Sequence, residues 1–123
     1  MIRFIICDDN KEAVQFDIVV NDNNFPMENK NALDGTMMKN ISVTGCTFQN
    51  VVRGIGSHTE LLGAYVENVT ISDNTFVNVK RDCIIAQNYY NVKIQNNTIK
   101  NCGAGILFQY CKERANTIFT TIE

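Results

Sequence analysis

One short pattern occurs three times in this chain of 123 residues, and that recurrence constrains the fold more than any other feature. Asn40-Ile41-Ser42-Val43-Thr44-Gly45-Cys46-Thr47-Phe48-Gln49-Asn50 returns as Asn68-Val69-Thr70-Ile71-Ser72-Asp73-Asn74-Thr75-Phe76-Val77-Asn78. It returns again as Asn91-Val92-Lys93-Ile94-Gln95-Asn96-Asn97-Thr98-Ile99-Lys100-Asn101, and no copy carries a gap. The copies begin at residues 40, 68 and 91, a spacing that suits three short strands with their turns. Within each copy apolar and polar residues alternate at period two, β-branched residues dominate, and Asn and Gly punctuate the ends. A helical repeat is thereby excluded, and each copy reads as strand, turn and strand.

A single copy has too little apolar surface to fold alone. Stacking buries its inward face and sets like positions ~4.8 Å apart on neighbouring coils. The expected interior ladders are Phe48, Phe76 and Ile99; Ile41, Val69 and Val92; and Val43, Ile71 and Ile94. Asn74 and Asn97 fall at a corner where stacked amides can hydrogen-bond from coil to coil, and Cys46 takes that position in the first copy. Continuing the alignment gives a third strand, with Val51, Val79 and Cys102 in correspondence, then Arg53, Arg81 and Ala104, then Ile55, Cys83 and Ile106, then Ser57, Ile85 and Phe108. Cys46, Cys83 and Cys102 are expected to be structural, as free buried cysteines usually are.

An earlier coil shows through its third strand, residues 13–19, and another begins near Asn116-Thr117-Ile118-Phe119. One domain over residues 1–123 follows, with partial coils at 1–20 and 112–123. Residues 21–39, which hold the only proline, Pro26, read as a loop leaving the coil. A second excursion is expected over 58–67 and a third through Gln87-Asn88-Tyr89-Tyr90. Neither end carries an evident capping helix, and solenoids need covered terminal coils. The expectation is a fragment, a truncated frame or one module, with end-to-end self-association or attachment to flanking coils.

The three copies resemble the repeats of the right-handed β-helix superfamily, which includes pectate lyases and polygalacturonases. The resemblance covers roughly residues 11 to 111 and implies an all-β fold, a right-handed single-stranded parallel β-helix of about four to five coils. Residues 11–17 and 53–58 also look like segments of uncharacterised bacterial members that carry a polysaccharide-processing region. What the resemblance implies for function is a carbohydrate-active segment, a polysaccharide lyase or glycoside hydrolase acting on an acidic polysaccharide or oligosaccharide. The same fold serves lyases, hydrolases, epimerases and tailspikes, so a non-catalytic structural or glycan-binding module is the alternative. Arg81-Asp82-Cys83 is similar to the Asp-Asp-Cys stretch of polygalacturonases. Arg81 replaces the first aspartate, however, and the only histidine precedes the motif instead of following it.

Chemistry is sought where the third strands stack. Val14 opposite Ile55 and Phe16 opposite Ser57 would set Asp17 beside His58, a carboxylate and an imidazole suited to acid–base catalysis on a sugar. A surface contact at the root of a loop explains the same pair. Arg53, Arg81 and Asp82 form the candidate substrate-binding set, since arginine forks onto carboxylates of acidic sugars; a solvated charge patch is their other explanation. Glu60 could supply a second carboxylate. Tyr65, Tyr89, Tyr90 and Tyr110 could stack on sugar rings or cover the ends of the core.

The remaining classes are narrowed by what the chain carries. A formal net charge of −2 leaves no sequence-wide basic surface, so nucleic acid is not expected as partner. No run approaches the ~20 apolar residues of a membrane span, and acidic Asp8-Asp9 follows the start too early for a signal peptide. As written the chain would stay in the cytoplasm; as a piece of a secreted protein it would be extracellular. Five cysteines without CxxC spacing argue against zinc and a full disulfide framework. Asp22 among Asn21, Asn23 and Asn24 matches no calcium loop, so neither metal nor cofactor is expected. Ile5-Ile6-Cys7-Asp8-Asp9 is similar to the first strand of receiver domains, but no alternating β/α pattern follows, and a strand ending in a turn accounts for it. The glycosylation-like triplets at Asn40, Asn68 and Asn96 recur with the repeat, which explains them without a glycan.

Overall fold

The fold was analysed in a computed structural model, which describes residues 2–4, 12–16, 35–57, 64–109 and 111–122. All regular structure among them is strand: β1 (Ile2–Phe4), β2 (Glu12–Gln15), β3 (Gly35–Thr44), β4 (Cys46–Gln49), β5 (Arg53–Gly56), β6 (Ala64–Ser72), β7 (Thr75–Gln87), β8 (Tyr89–Gln109) and β9 (Lys112–Ile122). Every pairing is parallel. β1 and β2 belong to a first coil, β3 to β5 to a second, β6 and β7 to a third, β8 to a fourth and β9 to a fifth. The expected parallel β-helix is the observed architecture.

Register follows the repeat without slippage in its first two strands. Ile41 faces Val69, which faces Val92; Val43 faces Ile71, which faces Ile94; Phe48 faces Phe76, which faces Ile99. On the third and fourth coils these side chains are sealed from solvent. The Phe48 and Phe76 rings stack with centroids 4.8 Å apart and planes 10° from parallel, which is the strand spacing expressed in side chains.

Corners are built by residues that tolerate a left-handed backbone. Asn40, Asn68 and Asn91 have φ of 63°, 58° and 57°; Gly45, Asp73 and Asn96 have 68°, 57° and 55°; Asn50, Asn78 and Asn101 have 57°, 54° and 55°. Asn, Asp and Gly are the residues for which this conformation costs least, so three positions of the pattern are fixed by backbone geometry. The residue after the middle corner points inward and stitches the coils. Asn74 accepts from the Cys46 N–H at Oδ1 (3.0 Å), and its Nδ2 donates to the Val43 carbonyl (3.0 Å) and to Asn97 Oδ1 (3.1 Å). Asn97 repeats the motif one coil on, accepting from the Asn74 N–H (3.0 Å) and donating to the Ile71 carbonyl (3.0 Å). Cys46, buried at the equivalent place, turns its thiol to the Thr44 carbonyl. Outside, the amides of Asn40, Asn68 and Asn91 form one ladder and those of Asn50, Asn78 and Asn101 another.

The third strands depart from the expected alignment. Ile55 faces Ile84 instead of Cys83, Gly56 faces Ile85, and Phe108 faces Ala86 instead of Ile85. The reason is a β-bulge: Val79 faces Cys102 and Asp82 faces Ala104, so β7 spends one more residue than β8 over that interval. Strand pairing also begins earlier than the loops were expected to end, since Gly35 faces Ala64 and Val66 faces Tyr89. No excursion interrupts residues 87–90. Only Asn88, at φ 60°, separates β7 from β8, and Gln87, Asn88 and Tyr89 are buried. The last coil starts at Lys112, and Ile94 faces Ile118.

Asn74→Ala is expected to destabilise the fold by about 2–4 kcal/mol in urea titrations, because several buried backbone and amide groups lose partners at once. Asn78→Gly, at an exposed corner, should change stability by less than about 1 kcal/mol, since glycine retains the left-handed backbone.

Candidate functional site

Where the third strands stack, three charged residues from three consecutive coils converge. Glu12 on β2 lies directly opposite Arg53 on β5, and the observed pairing of Ile55 with Ile84 brings Asp82 of β7 opposite Arg53. Arg53 Nε stands 3.9 Å from Glu12 Oε1 and 3.9 Å from Asp82 Oδ2. The side chains are 0%, 11% and 23% exposed for Glu12, Arg53 and Asp82. One guanidinium therefore serves two carboxylates in a largely enclosed place, and this is not a solvated patch. A carboxylate withdrawn from water needs such a counter-charge, so the first function of Arg53 here is to hold its neighbours.

Arg81 is separated from Arg53 by the bulge. It was expected to stack on Arg53, but Asp82 takes that place and Arg81 is exposed. Backbone bonds hold the bulge down, with the Lys80 N–H donating to the Val51 carbonyl (3.0 Å) and the Arg81 N–H to the Val52 carbonyl (2.8 Å). On the other side the Lys80 carbonyl presses on Gly103, where a Cβ would come within 2.1 Å of it. The result is a shallow, open depression of about 340 Å³ lined by Asn78, Val79, Lys80, Asn101, Cys102 and Gly103. Lys80, Arg81 and Lys100 are all exposed around this corner.

Asp17 and His58 lie outside the described residues, as do Glu60, Tyr110 and the stretch from Ile5 to Asp9. The register beneath the first pair is the expected one: Val14 faces Ile55, and the Phe16 N–H donates to the Gly56 carbonyl (3.1 Å). Ser57 closes this strand end by donating to the Phe16 carbonyl, with its hydroxyl 3.4 Å from that of Tyr89. Tyr89 is wholly buried and stacks on Phe16 at 5.4 Å, so it belongs to the core and cannot bind a sugar. Tyr65 and Tyr90, on neighbouring coils, are half-buried and meet at a tilt of 57°. Among the described residues no group of three His, Cys, Asp or Glu side chains could hold a metal ion.

A family model described as a right handed beta helix region matches residues 5–121, nearly the whole chain. The chain belongs to the right-handed β-helix family. Searches of curated proteins and of solved structures returned no match. In this β-helix the partner that sequence reasoning missed is Glu12. The signal was present, because Glu12 precedes Val14 by two residues as Arg53 precedes Ile55, so the alignment that pairs the aliphatics also pairs the charges.

Arg53→Met should cost about 3 kcal/mol in thermal or chemical unfolding, because it strands the shielded Glu12 carboxylate. Adding Glu12→Gln to that variant should recover a substantial part of the loss, a coupling that a double-mutant cycle measures directly.

Proposed function

We propose that this β-helix is a non-catalytic glycan-binding module that takes acidic polysaccharide or oligosaccharide at the basic corner formed by Lys80, Arg81 and Lys100. The observation that carries the proposal is the bulge in β7, which leaves Arg81 exposed beside a shallow depression with Lys80 in its wall. A planar guanidinium binds a sugar carboxylate through two parallel hydrogen bonds, while lysines add point charge that tolerates variation in the sugar. The floor is polar as well, since Asn101 ends an amide ladder on Asn78. An open depression fits a chain lying across the coils better than a small molecule, which needs enclosure. In this assignment Arg81 is the binding member of the set expected from sequence, and Arg53 with Asp82 supports the bulge.

Affinity electrophoresis or calorimetry with oligogalacturonate and a neutral glucan tests this. Arg81→Ala combined with Lys80→Ala should weaken acidic-sugar binding at least about tenfold, the worth of one charge-assisted pair, with little change in melting temperature. Binding should also weaken with added salt, as for any exposed charge contact. Absence of binding by folded protein, or binding indifferent to both substitutions, would remove the proposal.

A second reading, catalysis at Asp17 and His58, is favoured by the observed register of Val14 with Ile55. It has the pair perform acid–base work on the bound sugar. Unsaturated product, followed by its absorbance and lost in His58→Ala, would mark a lyase; new reducing ends alone would mark a hydrolase. Binding without either product would leave the non-catalytic module.

A further inference from the structure

Amide ladders have a direction, and in this protein the direction decides what the basic corner offers a ligand. Asn101 donates from Nδ2 to Asn78 Oδ1 (2.6 Å), and Asn78 donates from Nδ2 to Asn50 Oδ1 (3.2 Å). Both donors point back toward the second coil, so the last carbonyl oxygen of the ladder, Asn101 Oδ1, belongs to the fourth. The ladder of Asn40, Asn68 and Asn91 runs in the same sense, with Asn91 donating to Asn68 (2.6 Å) and Asn68 to Asn40 (3.2 Å). The sense is therefore a property of the repeat, and what sets Asn101 apart is its place. It is exposed, it lines the depression with Asn78, Lys80 and Gly103, and exposed Lys100 precedes it on the strand. Among the described residues nothing donates to its Oδ1. Successive amide hydrogen bonds polarise one another, so an oxygen at the end of such a ladder is a better acceptor than that of a lone asparagine.

We propose, resting on the glycan-binding reading, that Asn101 is the specificity-determining residue of this corner and selects uronate sugars that keep a free hydroxyl beside the carboxylate. Lys80, Arg81 and Lys100 supply donors only, so by themselves they accept any polyanion, whether sulfated, phosphorylated or carboxylated. An acceptor among them changes that. A hydroxyl donates to Asn101 Oδ1 while the carboxylate of the same chain meets the guanidinium of Arg81. A ligand that brings acceptors alone displaces water from that carbonyl and returns no donor, which costs affinity. In an open depression, where size selection is weak, such an unfilled polar group is the stronger discriminator. Asn78 is a positioning residue: by accepting the Asn101 N–H it holds that amide in one of its two orientations. The left-handed backbone at both corners, φ 54° at Asn78 and 55° at Asn101, sets the two amides in line.

The test is calorimetry at one salt concentration with oligogalacturonate and with oligoacrylate of matched charge, which carries carboxylates and no hydroxyls. Asn101→Gly keeps the left-handed backbone and removes the acceptor. It should weaken oligogalacturonate binding about threefold to tenfold, the worth of one hydrogen bond, and leave oligoacrylate binding unchanged or tighter. Asn78→Gly, which frees the Asn101 amide to turn, should affect the two ligands in the same unequal way by a smaller factor. Equal losses for both ligands in Asn101→Gly, or no loss for either, in a chain whose binding still depends on Arg81, would overturn this inference and leave the glycan-binding reading standing. Failure of the folded, unsubstituted chain to bind oligogalacturonate would overturn both.

Discussion

Stacked coils hold together only if each settles at the same height as its neighbours, and in this protein the inward asparagine corner sets that height. Asn74 and Asn97 each accept a backbone N–H from the preceding coil and donate to a carbonyl of that same coil, and Asn74 also donates to the Asn97 amide of the next coil. A one-residue slip would turn every apolar residue of a strand from core to solvent, so the hydrophobic ladders alone already resist slippage. What the amides add is satisfaction of backbone groups at a turn, where no strand partner is available and burial would otherwise be costly. The left-handed residue just before each amide is what aims it inward. Backbone conformation, side-chain amide and aliphatic ladder thus depend on one another, and the sheets follow from them.

The bulge in β7 is where this regularity is broken, and the chemically distinctive groups gather around the break. One added residue moves Asp82 opposite Arg53, leaves Arg81 exposed, and presses the Lys80 carbonyl against Gly103. Without it Arg81 would occupy the place of Asp82, beside Arg53, and two like charges would share an enclosed position. Bulges commonly re-aim side chains at the margins of sheets. Here the effect is to sort one arginine into the interior ion pair and the other onto the surface.

Most of the architecture was legible from residues 40 to 101, because the repeat is ungapped there and period-two alternation admits only one stacking. The Phe48, Phe76 and Ile99 ladder and the Asn74 and Asn97 corner were readable to the residue. The third strand was not, since it carries no copy of the pattern and a single inserted residue leaves hydrophobicity unchanged: Cys83, Ile84 and Ile85 are all acceptable core residues, so composition could not choose among registers. The strand character of residues 35–39 and 64–67 was hidden for a related reason, because polar residues such as Lys39 and Glu67 resemble a loop until their partners are known. Of the candidate site, Arg53 and Asp82 were found as individuals and misplaced as a set. Their exposure depends on the bulge, and Glu12 needed the alignment to be applied to charges as well as to aliphatics.

Glu12, Arg53 and Asp82 come from the first, second and third coils, so the interaction spans more than one coil boundary. In a solenoid governed by nearest-neighbour contacts, end coils fray independently and stability accumulates coil by coil. Each contact of this cluster joins adjacent coils, so the rule holds, but the N-terminal boundary carries an added term. Peeling away the first coil would separate the shielded Glu12 carboxylate from Arg53 and leave Arg53 paired with Asp82 alone, so opening at that end costs an ion pair as well as the strand hydrogen bonds.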